Sequence, residues 1–76
     1  MYLYKMTLIN GSIYFIKSKE MINKLLEEIE LYEWRDYLLA EPTIMYIKDK
    51  CIKNNIVMVK SKNVTSIEYY VGDPKL

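Results

Sequence analysis

Residues Tyr4 to Ile16 place two apolar-rich runs on either side of Asn10-Gly11. An Asn-Gly pair in that position is the strongest short-range signal for a β-hairpin. A two-residue type I′ turn needs φ > 0 at both central residues, which Asn tolerates and Gly accepts without steric cost. Such a turn sets a register in which Leu8 faces Ile13, Thr7 faces Tyr14 and Met6 faces Phe15. Tyr4, Met6, Leu8, Ile13 and Phe15 then share one apolar face, expected as the floor of the core. Leu3, Lys5, Thr7, Tyr14 and Ile16 share the other, itself more apolar than a solvated face.

The layer above that floor is a helix expected from Lys19 to about Glu30, with Ser18 as its N-cap and Glu20 in its first turn. Ile22, Leu25, Leu26 and Ile29 recur at i, i+3, i+4 and i+7 and form one stripe. Glu20, Lys24, Glu27 and Glu28 fall on the opposite side, with Glu20–Lys24 and Lys24–Glu28 spaced to pair. Leu31 to Ala40 reads as strand through its Trp and Tyr and as helix through Leu38-Leu39-Ala40-Glu41. The extended reading is favoured, with Tyr32, Trp34 and Leu38 on one face around Asp36, and Pro42 marks a break.

Further along, Thr43–Lys48 and Ile56–Lys60 read as strands, with residues 49–55 as turn material. Ser61-Lys62-Asn63 reads as a turn with a single helical turn, followed by a last strand over Val64–Val71. Gly72-Asp73-Pro74 ends regular structure, leaving Lys75-Leu76 frayed. The order is β-β-α-(β)-β-β-β. This predicts an α+β fold, a small antiparallel sheet of about 4–5 strands with one helix packed on one face.

Seventy-six residues make a single domain, 1–76, near the lower limit for a self-sufficient core. Cys51 is the only cysteine and there is no histidine, so neither an intrachain disulfide nor a zinc site is expected, and no cofactor. A reducing, cytoplasmic setting follows, with no signal peptide and no apolar run long enough to span a membrane. Chemistry is hard to find. Glu27, Glu28, Glu30, Glu33 and Asp36 lack the contrasting environments that acid-base pairs need, and Cys51 has no base beside it. The two glycines, Gly11 and Gly72, build no phosphate loop. The expectation is a protein that is not an enzyme.

Charge is distributed unevenly around a net of +1. From Glu20 to Glu41 seven acidic residues stand against Lys24 and Arg35, a net of −5. From Pro42 to Val64 five lysines stand against Asp49, a net of +4. The acidic segment with its aromatics suggests a docking site for a basic protein partner, formed by Glu20, Glu27, Glu28, Glu33, Trp34 and Tyr37. The alternative is nucleic-acid binding through Lys48, Lys50, Lys53, Lys60 and Lys62, with Tyr46 to stack a base. A single arginine and the low net charge weigh against that alternative. Eight tyrosines, amphipathic and favoured at interfaces, suggest a homodimer or larger assembly.

The hairpin Lys5-Met6-Thr7-Leu8-Ile9-Asn10-Gly11-Ser12-Ile13-Tyr14-Phe15 and the stretch Ile56 to Glu68 resemble, in pattern, those of short proteins from phages and low-GC bacteria. The resemblance covers about half the chain and implies a binding role, including inhibition of a host defence or nucleic-acid-handling protein.

Overall fold

The computed structural model describes residues 1–71, and within the strands the side chains of Pro42, Thr43, Met45 and Ile52 lie outside that description. The expected end of regular structure at Gly72-Asp73-Pro74 lies outside the described residues. Five strands and one helix follow in order: β1 (Tyr2–Leu8), β2 (Ile13–Ser18), α1 (Ile22–Leu31), β3 (Trp34–Ile47), β4 (Lys50–Lys60) and β5 (Val64–Tyr69), with a 3₁₀ turn at Ser61–Asn63. The strands form one antiparallel sheet in the order β4-β3-β2-β1-β5, covered by α1 on one face. The α+β architecture is therefore the expected one.

The first hairpin forms, but in a different register. The Leu8 carbonyl accepts the Gly11 N–H at 2.9 Å, and the Leu8 N–H donates to the Ser12 carbonyl at 2.9 Å. Gly11 has φ +87° while Asn10 is not left-handed. The loop is thus three residues, Ile9-Asn10-Gly11, whose glycine supplies the αL position that follows a type I turn. Asn10 Oδ1 accepts the Ser12 N–H at 3.0 Å and steadies it. Thr7 now faces Ile13, Met6 faces Tyr14 and Tyr4 faces Ile16. A one-residue slip exchanges the two faces of β2. Ile16 is fully buried and Tyr14 packs against the core, whereas Ile13 and Phe15 lie on the face away from the helix. Both faces of β2 are apolar, so the hydrophobic pattern left the register to the turn.

The core joins Tyr4, Met6, Ile16, Leu25, Tyr37, Val59 and Ile67, with Ile22 and Ile29 packed against it from α1. The helix begins three residues later than expected. Ser18 Oγ accepts the Glu20 N–H at 3.1 Å in a local turn, and Met21 is the N-cap without a side-chain bond. Two distant tyrosines hold the first turn instead. Tyr69 Oη accepts the Ile22 N–H at 3.2 Å, and Tyr4 Oη donates to the Glu20 carbonyl. Their rings lie 5.0 Å apart. Leu26 is not in the core but 48% exposed, and its expected place is taken by Glu28, paired with Arg35 of β3. The Glu20–Lys24 and Lys24–Glu28 pairs are absent among the described residues.

The extended reading of Leu31–Ala40 holds from Trp34 onward, whereas Leu31 ends α1 and β3 continues through Pro42, where the sequence predicts a break, to Ile47. Residues 49–55 are not a turn region: the turn is Lys48-Asp49 alone, both with positive φ, and β4 begins at Lys50. Strands β3 and β4 make one long hairpin, interrupted where residues 39–42 stand against the single residue Asn55. Pro42, which has no N–H to donate, belongs in such a bulge. Beyond the bulge the hairpin continues as a two-stranded arm, since β2 pairs β3 only at Ile16–Leu39 and Lys17–Leu38. No helix among the described residues is long and apolar enough to cross a membrane.

Candidate functional site

Alternation along β3 and β4 decides which side chains are available. Arg35 and Tyr37 face the helix with Val57 and Val59. Trp34, Asp36 and Leu38 face the other way, opposite Lys60, Met58 and Ile56. Trp34 is 52% exposed and Met58 63% exposed. The same outer face continues through Lys17, which faces Leu38, to Leu3, whose carbonyl accepts the Tyr70 N–H at 2.9 Å. Phe15 meets the Tyr70 ring at 4.8 Å there. An apolar surface therefore runs across the uncovered side of the sheet, dotted with Lys5, Lys17, Asp36, Lys60 and Glu68.

At one end of this surface Lys60 Nζ lies 5.7 Å from the Trp34 ring centroid and 3.6 Å from Glu33 Oε1. The indole thus has a cation on its face, itself paired with a carboxylate. A shallow groove of about 390 Å³ opens beside it, lined among others by Leu31, Tyr32, Glu33, Lys60 and Lys62. Aromatic and aliphatic anchors next to charges of both signs can exclude water from a partner and orient it.

The acidic docking site expected from the sequence does not assemble. Glu28 is buried against Arg35, whose guanidinium also lies 5.6 Å from the Tyr32 ring centroid and 5.9 Å from that of Tyr37. Tyr37 is a core residue, and burial raises the pKa of its phenol. Glu20 is half-buried at the start of the helix, while Glu27 is exposed. Of the six, Glu33 and Trp34 come together at the outer edge. The five lysines are also divided. Lys48, Lys50 and Lys53 sit on the arm, whereas Lys60 precedes the 3₁₀ turn and Lys62 lies within it. Ten residue steps along β4 separate Lys50 from Lys60, about 33 Å.

Sequence reading missed Met58 and Ile56 as surface residues. Their signal is alternation with Val57 and Val59, which becomes interpretable only once the phase of β3 is known. Among the described residues no three His, Cys, Asp or Glu side chains converge, and Cys51 is exposed on the arm opposite Tyr46. Compared with protein-family models, with curated proteins and with solved structures, the chain matches none.

Proposed function

We propose that this chain is a non-enzymatic protein-binding module that engages a protein partner through the outer sheet face around Trp34 and Met58. The observation that carries this reading is the exposure of both residues on a strand pair whose other face is core. A two-layer fold normally presents polar side chains on the solvent face of its antiparallel sheet. Here Leu38, Ile56 and Met58 stand beside an indole already oriented by Lys60. Such a patch binds another surface of apolar character with a mixed-charge rim. Where that surface is the working face of a host defence or nucleic-acid-handling protein, the chain acts as its inhibitor, the role implied by the phage-like hairpin pattern.

The test is capture from nuclease-treated host extract by wild type, by Met58→Glu and by the arm variant Lys48→Glu/Lys50→Glu. A protein retained by wild type and the arm variant but lost with Met58→Glu is the expected result. Retention that ignores Met58→Glu, or capture of nucleic acid alone through the arm lysines, overturns the reading.

A further inference from the structure

We propose that two copies of this chain pair edge to edge through their arms, Thr43–Ile47 of β3 running antiparallel to the same segment of the partner about Met45. Beyond Leu39, β3 has no neighbour on the β2 side among the described residues, so this edge of the arm is open. A two-stranded ribbon standing clear of its sheet is marginally stable in water by itself. The two edges of this ribbon differ. Within the arm, β4 carries Lys50 and Lys53, the usual protection against strand addition, while Thr43-Ile44-Met45-Tyr46-Ile47 carries no charge.

The register follows from the turn. In an antiparallel hairpin closed by the two-residue turn Lys48-Asp49, Ile47 and Lys50 form a hydrogen-bonded pair. Alternation then directs the backbone groups of Tyr46 and Ile44 to the open edge. Pairing about Met45 sets Ile44 against the partner's Tyr46, and Tyr46 against the partner's Ile44. Their backbone groups satisfy one another. The side chains of Ile44 and Tyr46, 61% and 77% exposed, become cross-strand neighbours on one face. The same operation applied twice returns the first copy, so the pair closes without growing into a fibre.

Charge favours the antiparallel choice. Side by side in parallel, the arms would crowd Lys48, Lys50 and Lys53 of both copies. Antiparallel, each turn reaches the base of the other arm. There a cleft of about 450 Å³ is lined by Ile13, Phe15, Leu39 and Val57, with Glu41 beside them.

The single native cysteine supplies the test. Three strand spacings and two residue rises put Cys51 and the partner's Cys51 about 16 Å apart between Cα atoms, too far for a disulfide. A spin label on Cys51 should therefore show strong dipolar coupling in a species of twice 9.1 kDa by sedimentation. Tyr46→Pro removes an N–H that points to the open edge, not to β4, and should abolish the coupling and the dimer while preserving the circular dichroism of the fold. Glu41→Lys should weaken the dimer, and Lys48→Glu in the same chain should restore it. A 9.1 kDa species from low micromolar to near-millimolar concentration overturns the proposal. So does a dimer without coupling at Cys51, or one that Tyr46→Pro leaves intact.

Discussion

Arg35 of β3 reaches under the helix to close an ion pair with Glu28, so that the only arginine of the chain is held inside the fold. Glu28 is buried and Arg35 is 27% exposed, which makes the carboxylate the more dependent partner. Removing one member of a buried pair strands a charge, whereas replacing both with apolar groups of similar volume can be neutral or stabilising. Arg35→Met should cost about 3 kcal/mol by urea unfolding, near the low end for such pairs because the arginine side chain is only partly buried. Glu28→Leu combined with Arg35→Met should recover most of that loss. A double variant no more stable than Arg35→Met alone would show that the pair does more than neutralise its own charges.

The hairpin register gives a sharper contrast. Ile16→Ala removes a fully buried side chain and should cost about 2–5 kcal/mol. Ile13→Ala, at a half-exposed position on the outer face, should cost under about 1 kcal/mol. Thermal melts of the two variants check it, since the register of a two-residue Asn-Gly turn would reverse their order.

These cases show how far the chain can be read without its fold. Local periods and turn residues carry the first hairpin, the helix and the Ser61–Asn63 turn. They carry the extended form of 34–41 as well, because aromatics there outweigh a short leucine run. What local pattern leaves open is phase. Both faces of β2 are apolar, so its orientation rests on whether the loop holds two residues or three. The helix stripe turned to bring Glu28 inward because Arg35 waits on β3, a pairing no helical period reveals. The candidate site residues are divided between core and surface for the same reason. Tyr37 and Trp34 are three positions apart, and strand alternation sends one to the core and the other to solvent. The five lysines are neighbours in sequence, but Lys50, Lys53 and Lys60 are spread along a strand whose length was hidden by the polar run Lys53-Asn54-Asn55, with Lys48 in the turn before it and Lys62 in the 3₁₀ turn after it.

Gly11 tests the turn itself. Its φ of +87° is a conformation that side chains of L-residues adopt at a cost of about 1–2 kcal/mol, while a Cβ there would meet nothing within 4 Å. Gly11→Ala should therefore lose about 1 kcal/mol through backbone strain alone. Gly11→Asn should lose less, because Asn tolerates the left-handed region. Equal melting temperatures for the two variants would mean that the loop has moved to another geometry.

Alkaline unfolding should report on Tyr4. Burial, with the neighbouring Tyr69 hydroxyl contributing further, pushes its phenol from 10.0 up to about 12. Below pH 10 the folded and unfolded chains both hold this proton, and the contribution of Tyr4 to stability is complete. Between pH 10 and about 12 the unfolded chain releases the proton first, so the folded state binds more protons and stability falls as pH rises. Ionisation also removes the O–H that the Glu20 carbonyl accepts, loosening the start of the helix. The melting temperature should drop across that window, and phenolate absorbance should show a late-titrating tyrosine until the fold is lost. Tyr4→Phe should cost about 1–3 kcal/mol at neutral pH, since it leaves the Glu20 carbonyl without its donor. It should also flatten the alkaline fall. If Tyr4→Phe lowers stability by the same amount at pH 7 and pH 11, the phenol of Tyr4 is not the group that titrates.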